Sequence, residues 1–482
     1  MNQVDNIDAN FLFLDESDNP AHISLLYMYD QSTVDDELLR FKKILNHMEE
    51  RLSSSPLFRQ KILRVPFDLD YPYWVDDEKF DLEFHIRHLA LPKPGDWRQL
   101  CIQVSRLHSR PLDISKPLWE MYIIEGLDNI EGIAPGAFAV FLKIHHCAMD
   151  EFAAMNLYES LHTSHTNDNA SIPPCPAPSR AYMLARACGN NLNNVIDTVG
   201  FSLRNISGVT KMAARVVGRF LLKTAGGEIG PIAPSTRFNY QLTPYRVFDG
   251  LFFDADVFEK IMKRFPAITS MELVATICGG ALRSYLDEKG ELPIESLFAL
   301  LAINDRDKAA HALRGNHFGI KRQNLRTDIS HSIDRLRAIS VANANVQINN
   351  NGDDTSDKVK KMLQTLPAPI LSLANRYANN KGNPINQVLR SGNAVITLFD
   401  DTAAEHNFMG AELIGFTSIS PLYSGCGLVF TATRFNDKLG ITFTSDREML
   451  TDPEKLRESL RKVYEELADY CESDKSPVRI CA

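Results

Sequence analysis

Two adjacent histidines, His145 and His146, close an apolar run at residues 137–144, and Asp150 stands four residues beyond the second. Imidazole exchanges a proton near neutral pH, so one ring of such a pair can act while its neighbour fixes the orientation. A nearby carboxylate can orient a ring or hold the loop through an ion pair. The chain contains no G-x-S-x-G elbow, so a serine hydrolase would lack its nucleophile. Cys147 abuts the pair, but adjacent side chains on an extended backbone diverge, which weighs against a thiolate mechanism. A metal on His145, His146 and Asp150 lacks a further cluster of His or Cys, and no metal is expected. General-base chemistry suits these residue types best: His146 would deprotonate an acceptor hydroxyl, which then attacks an already activated acyl group. Spacing alone also allows a plainer account. Asp150 would then be the N-cap of a helix carrying Ala154, Leu157, Tyr158 and Leu161 on one face, beside two core-edge histidines.

The elements that must position these residues are legible in outline. Residues 21–30 and 137–144 read as strands. Residues 35–52 present one apolar helical face, and 96–112 begin a helix that stops at Pro111. A Pro-rich stretch at 162–179 favours an extended connector, 180–227 read as one or two helices, and 228–239 form a second loop. Beyond 240 the mixture resumes. Helices are expected over 270–290, 328–347 and 452–471, and a hairpin over 427–435 and 438–446, turning at Asn436-Asp437. The expected organisation is residues 1–165, a connector and helical linker at 166–239, and residues 240–482.

Composition narrows the function classes. With 482 residues, 44% hydrophobic and 23% charged, the chain can bury large cores without staples. A formal net charge of −9 argues against nucleic acid as the main partner. Eight scattered cysteines without a C-x-x-C pair point to a reducing compartment, and no signal peptide is apparent, so a cytoplasmic protein is expected. Lys211, Arg215, Arg219 and Lys223 recur every four residues between Met212, Val216, Val217 and Phe220. That pattern suits peripheral contact with a lipid surface, or an ordinary solvated helix face.

The H-H-x-x-x-D pattern of His145, His146 and Asp150 resembles the catalytic signature of the wax ester synthase/acyl-CoA:diacylglycerol acyltransferase family. That family lies within the wider group of CoA-dependent acyltransferases and condensation domains. The flanks strengthen the resemblance. Residues 56–67, 71–96 and 107–127, including Pro117-Leu118-Trp119, are similar to its N-terminal half. "GGALRSYL" (279–286), "RGNHFG" (314–319) and "AELIGFTSISPLYSGCGL" (411–428) resemble C-terminal segments in the same order.

The resemblance implies two chloramphenicol-acetyltransferase-like mixed α/β domains, with the histidine motif in a tunnel between them. It implies transfer of a fatty acyl group from acyl-CoA to a long-chain alcohol or a diacylglycerol. His146 would be the general base, His145 a structural support and Asp150 the anchor of the loop, through an arginine the sequence does not identify. CoA enters as a substrate, and no cofactor is implied. Three signature points differ: Glu151 stands where the motif has Gly, Met271-Glu272 where an Asn-Asp pair opens a helix, and "TLFDDT" (397–402) where S-N-V-P-G-P is expected. These departures carry an alternative, a divergent homologue that binds lipid or acyl-CoA with weak or no catalysis.

Overall fold

The structure, a computed structural model, describes residues 2–32, 34, 41–52, 55–162, 174–191, 233–304, 316, 318–349, 367–378, 392–401 and 407–473. Its strands are β1 (Asn2–Gln3), β2 (His22–Asp30), β3 (Gln60–Leu63), β4 (Tyr73–Asp76), β5 (Ile86–Ala90), β6 (Trp119–Leu127), β7 (Ala137–His145) and β8 (Arg246–Asp254). The later ones are β9 (Phe298–Asn304), β10 (Phe318–Asn324), β11 (Ala394–Asp401), β12 (Asn407–Phe408), β13 (Ala411–Ile419), β14 (Leu428–Phe435) and β15 (Lys438–Asp446). They form two six-stranded sheets, ordered β12-β13-β2-β7-β6-β5 and β10-β9-β11-β14-β15-β8, and a small sheet β1-β4-β3. Strand β7 is buried at every residue, as a central strand covered on both faces must be.

The helices are α1 (Asn6–Leu14), α2 (Phe41–Arg51), α3 (Leu82–His85), α4 (Trp97–Ser109), α5 (Glu151–His162), α6 (180–191), α7 (Asp256–Arg264), α8 (Ser270–Glu288), α9 (Ser332–Asn349), α10 (Ala368–Ala378) and α11 (Pro453–Glu472). Side chains set several of their starts. Asp96 accepts from the Gln99 N–H at 2.8 Å while Gln99 reaches back to the Asp96 N–H, a capping box that opens α4. Each sheet lies against its own apolar core.

The halves interlock rather than dividing at one point of the chain. Strand β13 pairs antiparallel with β2, so residues 407–419 complete the first sheet and cover an edge that would otherwise be open. In the other direction α4 packs on β8, where the Ser105 hydroxyl oxygen accepts the Phe248 N–H at 2.9 Å and the Trp97 indole donates to Asp249 at 2.8 Å. Of the expected linker, residues 174–191 and 233–239 are described, and Met183 and Ala187 of α6 pack with Val65, Tyr73 and Val75. Residues 211–223 lie outside the described residues. Among the described residues, no helix is long and apolar enough to cross a membrane.

Candidate active site

Strand β7 ends between the starts of two neighbours, and these grip the histidine turn by its backbone. The His145 N–H donates to Leu118 O at 3.0 Å, the His146 N–H to Ala21 O at 2.9 Å, and the Ala148 N–H turns back to His145 O at 2.9 Å. Leu118 belongs to the Pro117-Leu118-Trp119 stretch, so that motif holds the turn directly. Its tryptophan is fixed in turn: the indole N–H donates to Phe58 O at 3.1 Å, and His85 stacks on the ring at 4.6 Å.

The two imidazoles have different surroundings. The His146 ring lies flat on Phe11 of α1, with centroids 3.9 Å apart and planes 4° from parallel. His145 Nδ1 accepts the Cys147 N–H at 3.1 Å, and its Nε2 faces Asp15 at 3.7 Å. Burial opposes charge on His145, while the Cys147 sulfur and the Asp15 carboxylate favour it. The bond into Nδ1 points the other way, because Nδ1 accepts it only while unprotonated. The ring is therefore neutral, with its proton on Nε2, turned toward Asp15. It leaves Nδ1 occupied, so His145 cannot use that nitrogen to activate the Cys147 thiol.

Asp150 Oδ1 accepts the Ala153 N–H at 2.9 Å, the N-cap bond expected at the start of α5. Capping is therefore one of its roles. A second link crosses from the C-terminal half: Asn316 Nδ2 donates to His146 O at 2.8 Å and to Asp8 Oδ1 at 2.8 Å, and the Asn316 N–H bonds the same carboxylate at 3.0 Å. Burial pushes the Asp8 carboxyl up to about 7, against the pull of the Asn316 bonds. Asp8, Phe11 and Asn316 carried no role in the sequence reading. "RGNHFG" contained one of them, but nothing in residues 2–17 signalled a helix that would lie on the site.

The three departures have distinct structural settings. Glu272 closes a capping box with Thr269 at the start of α8, with bonds of 3.2 and 2.9 Å, and accepts from Asn343 at 2.7 Å. Met271-Glu272 thus opens its helix by a different local device. Thr397–Asp401 lie in the central strand β11, where Asp400 pairs with Arg434 at 2.5 Å and Phe399 meets Phe152 of α5 at 4.9 Å. Glu151 is buried in the first turn of α5, where a negative charge suits the helix dipole. Burial and then the charge of Glu151 push the Tyr423 hydroxyl above its usual value, although 36% of that residue's surface stays exposed.

The histidine turn at the end of a central strand is thus braced from a second α/β half by Asn316 and by Phe399, which meets Phe152 of α5. Residues 4–267 match the wax ester synthase/diacylglycerol acyltransferase catalytic domain and residues 314–468 the C-terminal domain of the same family. The chain belongs to this family and is an O-acyltransferase of its type. It is 28% identical to a putative diacylglycerol O-acyltransferase of Mycobacterium tuberculosis, over 95% of this chain and 90% of that one. It is also 28% identical to an O-acyltransferase of Acinetobacter baylyi, over 92% of each. The fold is similar to that of a wax ester synthase/diacylglycerol acyltransferase from Marinobacter aquaeolei, with a TM-score of 0.65, 21% identity and coverage of 97% and 99%. It is similar as well to the starter condensation domain of rhizomide synthetase solved with C8-CoA, with a TM-score of 0.55, 12% identity and coverage of 99% and 95%.

Proposed function

We propose that the protein moves a fatty acyl group from acyl-CoA to the hydroxyl of a long-chain alcohol or a diacylglycerol, with His146 as the general base. The observation that carries this is the gripped turn, which fixes the His146 backbone by Ala21 and Asn316 and its ring by Phe11. His146 removes the hydroxyl proton as the oxygen attacks the thioester carbonyl. The tetrahedral intermediate collapses by expelling the CoA thiolate, which takes up the proton from His146. A donor to the oxyanion adds about 3 kcal/mol in comparable acyl-transfer sites. His145 serves as support, its neutral ring tied to the Cys147 backbone and turned toward Asp15.

Relatives named for diacylglycerol acyl transfer and a neighbour of the same fold that holds C8-CoA support this reading. Incubation with labelled palmitoyl-CoA should give hexadecyl palmitate from hexadecanol or triacylglycerol from diolein. Release of CoA with no ester from either acceptor would overturn the assignment. The cations of residues 211–223 fit a lipid surface from which such acceptors are drawn. Charge reversal at Arg215 and Arg219 should then weaken binding to anionic liposomes, and unchanged binding removes this role.

A further inference from the structure

Away from the histidine turn, α4, the start of β8 and residues 447–457 enclose a cavity of about 620 Å³. Six arginines line it: Arg98, Arg106, Arg110, Arg246, Arg447 and Arg457. Against them stand the carboxylates of Asp249 and Glu454, so the cleft holds a surplus of four positive charges in a chain whose net charge is −9. Two of the six are held internally. Arg457 pairs with Asp249 at 3.2 Å, and buried Arg246 lies 3.6 Å from Asp446. Among the described residues, Arg98, Arg106, Arg110 and Arg447 have no carboxylate within ion-pair distance. Guanidinium groups gathered this way repel one another until an anion joins them, and their planar forks match phosphate oxygens two at a time. Beside them Tyr245 is 61% exposed and Ile102 is 42% exposed, apolar surface against which a ring can lie.

The cleft is joined to the site by short links. The carbonyl of Arg110 accepts from Lys143 of β7 at 2.6 Å, and His108 O bonds His22, which sits opposite His145 in the sheet. Arg246 donates to Asp18 O at 3.1 Å and to Asn19 Oδ1 at 2.8 Å, in the turn whose Ala21 carbonyl holds His146.

We propose that this cleft binds the nucleotide head of the acyl donor, the 3′-phosphoadenosine diphosphate of CoA. The proposal rests on the acyl-CoA reading above. Such a head carries roughly four negative charges at neutral pH, which matches the surplus in the cleft. Anionic lipid headgroups share the phosphate chemistry, but a bilayer presents them on a plane and the arginines here line a hollow.

The test titrates the full chain with CoA and with 3′-dephospho-CoA, and measures binding to phosphatidylglycerol vesicles alongside. Arg106→Ala and Arg447→Ala should each weaken CoA about tenfold, the double variant should be weaker still, and dephospho-CoA should bind less tightly than CoA. Both side chains are exposed, and equal thermal unfolding of variant and wild type certifies the fold. In turnover, KM for palmitoyl-CoA should rise with kcat unchanged, while S-palmitoyl-pantetheine, which lacks the nucleotide, should be used equally by variant and wild type. CoA affinity unchanged in the double variant, or loss confined to vesicle binding, overturns the proposal. Ester formation with an unchanged KM also overturns it and leaves the acyltransferase reading intact. Weakened CoA binding in a protein that forms no ester supports the cleft and removes the acyltransferase reading instead.

Discussion

His145, His146 and Asp150 are each no more than 1% exposed, and backbone groups grip the turn on both sides. Among the described residues, Arg98, Arg106, Arg110 and Arg447 stand in solvent without a carboxylate partner, away from the histidine turn. A dry site with its backbone held suits proton transfer, because weak solvation strengthens each dipole and the turn fixes each atom. It also makes every part costly to remove. A wet, cationic cleft suits capture, where each contact adds affinity, salt screens it and a lost member is tolerated. Changes in the turn should therefore act on kcat and stability, and changes in the cleft on KM and salt dependence.

The largest effect that tests this contrast is expected at Asp150. Asp150→Ala removes the α5 cap and should cost about 1–2 kcal/mol of stability, seen in urea unfolding. The slackened turn should lower kcat by about 10²-fold. Asp150→Asn keeps a capping oxygen and should recover most of the stability, which separates the cap from any further role of the charge. Next come the cleft arginines, whose loss should move KM about tenfold and leave kcat in place. A comparable fall in kcat would show that the two regions do not divide the work this way.

Smaller is the pH response of Asp8. Its folded pKa of about 7 lies above the ordinary carboxylate value of 3.8, so the folded state holds the proton more tightly than the unfolded chain. That contribution is complete below the unfolded value and is lost as pH rises through 7. Asp8→Asn retains an acceptor for Asn316 and should gain on wild type by about 1–2 kcal/mol between about pH 5 and about pH 8. Parallel melting curves of the two proteins at every pH would contradict the buried, protonated carboxyl.

Glu151→Gly should have the smallest effect. It removes a charge beside Tyr423 and a favourable partner of the helix dipole, with about 1 kcal/mol lost in stability. If the carboxylate obstructs the acyl donor, kcat/KM for palmitoyl-CoA should rise roughly threefold, the scale of one screened like-charge contact. No change would show that the buried position of Glu151 points it away from the donor.

Much of this was readable wherever local pattern and tertiary role agreed. The expected hairpin over 427–446 is β14 and β15 within one residue, and the helix expected over 270–290 is α8, with Gly290 at a φ of +67° just beyond its end. The histidine turn was placed because strand periodicity stops at Ile144. What escaped is assembled from distant parts. Short helix α1 shows little amphipathic pattern, yet it brings Asp8 and Phe11 onto the site. Strand β13 has the alternation of an ordinary strand, and nothing local says that it joins β2 nearly 400 residues earlier. The cleft gathers arginines from three separate stretches of chain, although one part left a trace. Arg98, Arg106 and Arg110 recur at multiples of four, the spacing that drew attention to Lys211 and Arg215.

The central claim is that His146 takes the acceptor proton in a direct transfer from acyl-CoA. Its most direct test compares kcat for labelled palmitoyl-CoA and hexadecanol between wild type and His146→Ala, at equal folded fraction. Loss of a general base predicts a fall of about 10³-fold with KM for palmitoyl-CoA little changed. Equal rates of ester formation in the two proteins would contradict it.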